Sequence, residues 1–254
     1  MKLIGKAAVV FGGGRGVGRA CAVGLAERGA DVAIVYRSNH AEAEITAAAV
    51  RAAGRRALVI ACDVVDADAV AKAYGRIAAE FGPFQMLVST VGAAAPFKTV
   101  RALTPKEWAD YIGTDLTGTF NVLHHGLGPL KDAGGGAIVA ISSIASQMVQ
   151  ARNPHGAAAK AGVEALVRVL AREEARTRIR ANVVGIGLTD TDMTKPVFES
   201  WGEETVKRVI AGIPLGRIAK PEDVANAVIF LLSEEGSYIT GKVLQVDGGQ
   251  FIGG

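Results

Sequence analysis

Apolar and polar positions along the chain fall into two kinds of segment, which alternate from one end to the other. Short continuous apolar runs, rich in Val, Ile and Ala, are typical of strands that are covered on both faces. These runs are Ala7–Phe11, Asp31–Tyr36, Ala57–Ala61, Met86–Ser89, Ala137–Ser142, Ile179–Val184 and Val243–Val246. Between them lie longer segments with apolar residues at helical spacing. These segments are Arg15–Arg28, His40–Ala53, Asp66–Phe81, Pro105–Lys131, Pro154–Arg176 and Pro221–Leu232.

This strand–helix–strand order predicts an α/β fold. Buried strands joined through helices form a parallel sheet, because each connection has to return to the same end of the sheet. We therefore expect one doubly wound, Rossmann-type domain over residues 1–254, with helices on both faces of the sheet. The segment Thr189–Pro214 (189–214) interrupts the alternation. It is predicted to be an insertion that covers the substrate, with a plain surface excursion as the alternative.

The composition narrows the class of protein. Half of the 254 residues are hydrophobic and the net charge is +3, which is typical of a globular chain. The densest basic stretch, between Arg168 and Arg180, lacks the aromatic residues of a nucleic-acid binder, so a solvated helix face is predicted there. No apolar run approaches the ~20 residues that span a bilayer. Cys21 and Cys62 are predicted to be reduced and buried, and the absence of targeting signals favours the cytoplasm, with neither nucleic acid nor membrane as a partner.

A glycine-rich segment joins the first predicted strand to the first predicted helix. It runs Gly12-Gly13-Gly14-Arg15-Gly16-Val17-Gly18. Glycines allow a tight turn and a close approach of a diphosphate, and the helix N-terminus that follows offers free N–H groups and a partial positive charge. A turn between a strand and a helix is the context that dinucleotide binding requires, although a purely structural turn has the same composition. The predicted cofactor contacts here are Gly12, Gly14, Arg15, Gly16, Val17 and Gly18.

The end of the second strand indicates which dinucleotide binds. A carboxylate at this point accepts hydrogen bonds from the adenosine ribose and repels a 2′-phosphate. The chain instead has Tyr36, Arg37 and Ser38 here. Arg37 and Arg15 are suited to pair with a phosphate, so NADP(H) is the predicted cofactor, with Arg37 and Ser38 among its contacts. The alternative is that Arg37 is only a solvated loop charge.

Further motifs follow the later strands. They are Cys62-Asp63-Val64, Ser89-Thr90-Val91-Gly92, Ile141-Ser142-Ser143, the run Ile179–Gly187 with Thr191-Asp192-Met193 behind it, Tyr238-Ile239-Thr240-Gly241 and Asp247-Gly248-Gly249. With the glycine turn, they resemble the short-chain dehydrogenase/reductase family over nearly the whole chain, and within it the 3-oxoacyl-carrier-protein reductase branch. The resemblance implies an oxidoreductase acting on a small carbonyl or carbonyl-conjugated molecule, assembled as a homotetramer or as a dimer of the same design. It also implies cofactor contacts from Asp63, Val64, Thr90, Val91, Gly92, Lys160, Thr189 and Thr191.

The catalytic residues of that family are a serine, a tyrosine and a lysine, with an asparagine behind them. The tyrosine lies thirteen residues after the serine and four before the lysine. Ser143 and Lys160 occupy their places, but both spacings arrive at Gly156 where the family has its tyrosine. Asp115 stands at the asparagine position.

Glycine supplies neither a proton nor a phenolate. General acid–base catalysis contributes about 10²–10⁴-fold, so ordinary carbonyl reduction is expected to be very slow. His155 is a candidate replacement donor because imidazole has a suitable pKa, although a helix-start histidine is the plainer interpretation. Asp115 is either a proton relay or a charge partner of Lys160, and Lys160 could itself donate a proton.

His124 and His125 do not predict a metal site, because adjacent helical residues face different ways and no acidic cluster is close in sequence. Three functions stay open at this point. The first is an NADPH-dependent reductase with a displaced proton donor. The second is a cofactor-binding protein without redox turnover, either a pseudoenzyme or a silent partner subunit. The third is a non-redox enzyme that reuses the pocket.

Overall fold

A seven-stranded sheet organises the protein, and all of its strand pairs are parallel. The computed structural model describes residues 2–94, 97–148 and 150–252. The strands are β1 (Ala7–Phe11), β2 (Asp31–Tyr36), β3 (Ala57–Ala61), β4 (Met86–Ser89), β5 (Gly136–Ser143), β6 (Ile179–Ile186) and β7 (Val243–Val246). Their order across the sheet is β3-β2-β1-β4-β5-β6-β7. The direction of winding reverses between β1 and β4, and in such sheets ligands bind in the crevice at the carboxyl ends of the two strands.

Helices cover both faces of this sheet, as predicted. They are α1 (Gly16–Glu27), α2 (His40–Ala52), α3 (Ala67–Glu80), α4 (Pro105–Ile112), α5 (Gly118–Asp132), α6 (Pro154–Glu173), α7 (Lys195–Trp201), α8 (Glu203–Ala211) and α9 (Pro221–Leu232). Thr104 begins α4 by accepting a hydrogen bond from the Glu107 backbone N–H at 3.2 Å, while the Glu107 side chain reaches back to the Thr104 backbone. This capping box satisfies donors that a helix start leaves open.

Strand β1 shows why the apolar runs are continuous. Val9 and Phe11 belong to the core beneath α3, α5 and α6, whereas Ala8 and Val10 belong to the core beneath α1, α2 and α9. All four side chains are fully buried. Because successive residues of a strand point to opposite faces, a strand inside two cores needs an apolar residue at every position.

The long helix predicted over Pro105–Lys131 was wrong in one respect. A π-helical turn, Gly113–Thr117, separates α4 from α5. Asp115 lies in that turn, and its backbone oxygen accepts a hydrogen bond from Thr119 Oγ1 at 2.7 Å. Such turns are frequent at functional sites, and this one places the Asp115 carboxylate against the loop after β4.

The segment 189–214 contains two helices, α7 and α8, that the sequence analysis did not predict. A parallel bridge between Thr189 and Ala219 joins its start to the chain that follows it.

Cys21 and Cys62 are buried free thiols, as predicted. Over the described residues, no helix combines the length and apolarity that crossing a bilayer requires. Positions 1, 253 and 254 of the predicted domain lie outside the described residues.

Candidate active site

The glycine turn between β1 and α1 is packed so closely that side chains are excluded from it. Gly12 has a φ of +78°, and a Cβ on it would overlap Thr90 Oγ1. A Cβ on Gly18 would overlap the carbonyl oxygen of Gly12. Since glycine alone tolerates both the conformation and the contact, the turn has the open backbone that a diphosphate needs for close approach.

Neighbouring side chains fix the shape of this turn. The backbone N–H groups of Gly12 and Gly13 both donate to the Val35 carbonyl at the end of β2, at 2.8 and 3.1 Å. Arg19 Nη2 and Thr46 Oγ1 each donate to the Gly14 carbonyl at 2.9 Å. The sequence analysis missed Arg19 and Thr46, because their role depends on α1 and α2 lying side by side.

The predicted phosphate partners are exposed at the rim of the same crevice. Arg15, Arg37 and Ser38 are all exposed, and Arg37 makes no hydrogen bond or ion pair within the described part of the chain. The pKa of the Asp192 carboxyl is lowered from its usual value, mainly by the hydrogen bond and charge of Lys195 and to a smaller extent by Arg15. Arg15 therefore lies near the start of the 189–214 segment.

The loop after β4 connects the glycine turn with the predicted catalytic residues. Thr90 donates from both its backbone N–H and its Oγ1 to the Phe11 carbonyl, at 2.9 and 2.8 Å. The carbonyl of Val91 accepts a hydrogen bond from Lys160 Nζ at 2.9 Å. A Cβ on Gly92 would lie 3.5 Å from the same Nζ. Three consecutive residues thus contact both parts of the site.

Lys160 and Asp115 form a nearly buried ion pair. Their charged atoms are 3.2 Å apart, and only 12% and 9% of the two side chains are exposed. The other carboxylate oxygen of Asp115 accepts a hydrogen bond from the Ala93 backbone N–H at 2.7 Å. The interpretation of Asp115 as a charge partner of Lys160 agrees with this geometry, and a relay function remains a prediction.

Gly156 lies one turn before Lys160 on α6, and the two positions share a helix face. A Cβ on Gly156 would overlap the amide oxygen of Asn153 and approach its Cγ and Nδ2 at 3.0 Å. The Asn153 amide therefore occupies the space that the first atoms of a tyrosine side chain would need. Sequence reasoning missed Asn153, although its position just before Pro154 marks it as the residue that precedes α6.

Ser143 is the last residue of β5 and begins a short 3₁₀ turn. Its Oγ accepts a hydrogen bond from the Ala145 backbone N–H at 3.2 Å, and its carbonyl accepts one from Ser146 Oγ at 2.7 Å. Ser142 Oγ donates to one oxygen of Glu164 at 2.8 Å, and Ser146 Oγ, whose single proton is shared between two acceptors, lies 2.5 Å from the same oxygen. Glu164 is only 2% exposed and was not predicted. Its carboxylate ties the turn carrying Ser143 to α6, one helical turn beyond Lys160.

His155 lies against α4. Its ring stacks on Tyr111 with centroids 4.5 Å apart, and its buried Nδ1 has no hydrogen-bond partner within the described residues. Burial lowers the pKa of His155 below its usual value, although the charges of Asp115 and Glu107 oppose the shift. A neutral imidazole at neutral pH follows from this direction. The role of His155 as a proton donor stays a prediction.

Other predicted contacts are distributed along the crevice. Asp63 is exposed and accepts a hydrogen bond from the Val65 backbone N–H at 3.1 Å. Val64 packs against Gly118, where a Cβ would approach it at 2.6 Å. A Cβ on Gly16 would lie 3.4 Å from Thr191 Cγ2, so Thr191 adjoins the glycine turn.

No cluster of three metal-ligating side chains occurs in the described ranges 2–94, 97–148 and 150–252. His124 and His125 lie edge to face with ring centroids 4.9 Å apart, and His124 also stacks on Phe120. Thr189 is buried at the start of the inserted segment, and its Oγ1 donates to the Gly187 carbonyl at 3.2 Å.

Comparison with known proteins gives consistent matches over nearly the whole chain. A family model described as enoyl-(acyl carrier protein) reductase matches residues 12–250. A cis-4-hydroxycyclohexanecarboxylate dehydrogenase of Sinomonas cyclohexanicum is 42% identical over 244 residues, which cover 96% of each chain. A 3-oxoacyl-(acyl-carrier-protein) reductase of Chlamydia muridarum is 36% identical, covering 97% of this chain and 98% of the relative.

Solved structures agree with these sequence matches. A short-chain type dehydrogenase/reductase from Mycobacterium ulcerans superimposes with a TM-score of 0.93 and 30% sequence identity. The match covers 98% of this chain and 91% of the other. The agreement therefore includes the whole sheet and the crevice at its carboxyl edge.

Proposed function

The chain belongs to the short-chain dehydrogenase/reductase family as an oxidoreductase of the 3-oxoacyl-carrier-protein reductase branch, and on that premise we propose that it is an NADP(H)-dependent enzyme whose active site works without the usual tyrosine. Its substrate is a small carbonyl or carbonyl-conjugated molecule, or the corresponding alcohol. Two relatives are named for the oxidation of a cyclic hydroxy acid and the reduction of a 3-oxoacyl group, which are both of this class.

One observation carries the proposal. The loop after β4 contacts the glycine turn through Thr90 and the catalytic pair through Val91, so a phosphate cradle and a fixed ammonium group face one crevice. The excluded Cβ positions at Gly12 and Gly18 fit a bound dinucleotide. When bound, the reduced nicotinamide supplies a hydride, and Lys160 is the residue we expect to hold its ribose.

The choice of NADP(H) rests on Arg37 and Arg15. Both are exposed at the rim of the crevice, and no acidic residue stands at the end of β2 to repel a 2′-phosphate. Tyr36, at the position where an acid would lie, instead contacts His40 through its hydroxyl at 3.0 Å. Titration with both cofactors, followed by nucleotide fluorescence, tests this choice, and equal or tighter binding of NADH would contradict it.

Proton transfer is the step that the unusual residues affect. We propose that Ser143 donates a hydrogen bond to the substrate oxygen and that Lys160, held by Asp115, orients the ribose. Position 156 supplies no proton, so a displaced donor has to protonate the oxygen. His155 and Asp115 are the candidates, since His155 precedes Gly156 in α6 and Asp115 pairs with Lys160 of the same helix.

A panel of ketones and conjugated carbonyl compounds, assayed by NADPH oxidation, tests the proposed activity. We expect slow turnover that His155→Ala abolishes without weakening NADPH binding, whereas Asp115→Ala should also weaken NADPH binding because it leaves Lys160 without its charge partner. If no compound is reduced although NADPH binds, the protein is a catalytically silent cofactor binder. The ion pair that commits Asp115 to Lys160, and the lowered pKa of His155, leave neither residue a ready proton donor and favour that second candidate.

We also propose that the inserted segment covers the substrate and that the protein assembles as a homotetramer. Trp201 of α7 contacts Phe97 of the loop before α4, with ring centroids 5.9 Å apart, so the segment reaches the other side of the crevice.

The proposed assembly is supported by apolar side chains that are left exposed. They are Val169, Tyr238 and Ile252, at 54%, 101% and 88%. A monomeric mass by light scattering at micromolar concentration would contradict the assembly. The cytoplasmic location and the absence of a nucleic-acid partner stay predictions.

A further inference from the structure

A cavity of about 390 Å³ opens beside Gly156. It lies between the loop before α4 and the segment that joins β5 to α6. Its lining is Thr99, Val100, Ala145, Ser146, Gln147, Met148, Gln150, Ala151, Arg152, Asn153, Pro154 and Ala157. This volume is near the lower end of the roughly 300–1,000 Å³ that small-molecule sites occupy.

Two contacts connect this cavity with the proposed active site. Asn153, which lines it, has the amide that occupies the Cβ position of Gly156. Ser146, which also lines it, donates to the carbonyl of Ser143 at 2.7 Å. Ala157 follows Gly156 directly in the chain. The cavity therefore adjoins both the turn that carries Ser143 and the start of α6, where Gly156 lies.

The described lining of the cavity is positively charged. Arg152 is its one ionisable side chain, and the others are apolar, amide or hydroxyl groups. Arg152 is exposed, and its Nη2 donates to the Phe97 carbonyl at 3.2 Å, which links the guanidinium to the loop before α4. No carboxylate pairs with Arg152 within the described residues. A planar guanidinium with free donors binds a carboxylate through paired hydrogen bonds.

The backbone conformation of Arg152 is also unusual for an arginine. Its φ is +67°, a left-handed conformation that costs a side-chain-bearing residue about 1 kcal/mol or more. Asparagine or glycine would adopt it more easily. The fold therefore holds an arginine where the local backbone favours a smaller residue.

We propose that the cavity binds the apolar body of a small monocarboxylate substrate and that Arg152 pairs with its carboxylate. The inference rests on the proposed function, and it specifies the substrate class as a free acid with a compact hydrocarbon body. A thioester lacks the free carboxylate with which Arg152 pairs. A single guanidinium balances one negative charge, which a monocarboxylate carries.

Calorimetry with cyclohexanecarboxylate and with cyclohexanecarboxamide, on the protein saturated with NADP⁺, tests the proposal without requiring turnover. Neither probe has a reacting carbonyl, so binding is measured even if hydride transfer fails. We expect the carboxylate to bind more tightly than the amide. Arg152→Gln should weaken the carboxylate by about 10- to 100-fold, as loss of hydrogen bonds to a charged group does, and change the amide by less than about twofold.

Two further variants separate recognition from general electrostatics and from misfolding. Arg101→Gln removes a charge from an exposed neighbour that does not line the cavity, and it should leave carboxylate binding unchanged. Arg152→Lys keeps the charge but loses the planar fork, and it should give an intermediate affinity. Equal binding of the two probes by the unaltered protein, or equal losses in Arg152→Gln and Arg101→Gln, would overturn the proposal. Failure to bind NADP⁺ at all would instead overturn the proposed function.

Discussion

The two halves of the crevice are built in different ways. On the β1 side, backbone packing determines the site, because Gly12 and Gly18 leave no space for a side chain and the carbonyl of Gly14 is held by two donors. On the β5 side, individual side chains determine it, because Asn153, Ser143 and the Lys160–Asp115 pair make the contacts there. In the first half the family resemblance rests on the glycine turn, whereas in the second a glycine stands at the position where the resemblance implies a tyrosine.

We infer from this difference that cofactor binding and proton transfer depend on separate parts of the site. A phosphate cradle made of backbone groups tolerates almost no change, since an added methyl group meets a main-chain oxygen. A proton donor is one side chain, and its loss leaves the surrounding hydrogen bonds intact. We therefore expect substitutions on the β1 side to affect binding and stability, and substitutions on the β5 side to affect turnover.

The largest expected effect is on turnover. Gly156→Tyr combined with Asn153→Ala restores a phenol one turn before Lys160 and removes the amide that blocks it. Carbonyl reduction should rise by about 10²–10⁴-fold, the usual contribution of a positioned acid, while NADPH affinity stays the same. Single-turnover NADPH oxidation measures the change.

The matched control for this variant is Gly156→Phe with Asn153→Ala. It supplies the same ring without the hydroxyl group, so its rate should stay at the level of the unaltered protein. An equal gain in the phenylalanine variant would mean that the ring orders the site rather than donating a proton. No gain in either variant would favour the catalytically silent candidate.

The next effect concerns the β1 side. Gly18→Ala places a methyl group onto the Gly12 carbonyl and against Thr90 Oγ1. Such overpacking should lower the free energy of unfolding by about 1–3 kcal/mol and weaken NADPH binding. Gly75→Ala is the control, because Gly75 is exposed within α3 and has open space at its Cβ position; it should stabilise the protein by about 0.5–1 kcal/mol. Urea unfolding of each variant, with and without NADPH, measures the change in stability and the change in NADPH binding.

The sequence predicted the sheet better than the site. Strands such as β1 and β2 could be located because burial on both faces requires an apolar residue at every position. The ends of β5 and β6 were set too short, since Gly136, Ser143 and Ile186 extend the ladder by pairing with a neighbouring strand. A pairing of that kind leaves no local signal in the sequence.

Within the site, the spacing of motifs predicted roles for Ser143 and Lys160 and a glycine at the tyrosine position, and these roles stay predictions. Asn153 and Glu164 could not be found in this way. Their importance arises from contacts between α6 and the loop after β5, and neither residue type is unusual at the start or in the middle of a helix. The π-helical turn at Asp115 could not be predicted from the helical spacing of apolar residues either.

A smaller effect, on the preference for NADPH over NADH, is expected at the rim of the crevice. Arg37→Asp replaces the proposed phosphate partner with a repelling charge, so NADPH binding should weaken by about tenfold while NADH binding changes little. Because Arg37 is exposed and makes no ion pair among the described residues, the fold should not be affected. The ratio of the two dissociation constants is the measurement, and Arg101→Asp provides a control for the loss of positive charge at a distance. A parallel loss for both cofactors would remove Arg37 from the proposed site.

The smallest expected effect is a dependence of stability on pH that originates at His155. Burial lowers the pKa of this imidazole in the folded protein, whereas in the unfolded chain it stays near 6.5. The unfolded state therefore binds a proton more readily as the pH falls below about 6.5, and the contribution of neutral His155 to stability is present above that pH and lost below it. One proton changes the free energy of unfolding by at most about 1.4 kcal/mol per pH unit. Urea unfolding between pH 5 and 8, values chosen around that pKa, should show a decline on the acid side that is smaller in His155→Gln, with parallel curves above pH 7. If the two curves stay parallel down to pH 5, the pKa of His155 is not lowered by folding. A protonated imidazole beside Tyr111 could then serve as the proton donor in place of the side chain that is absent at Gly156.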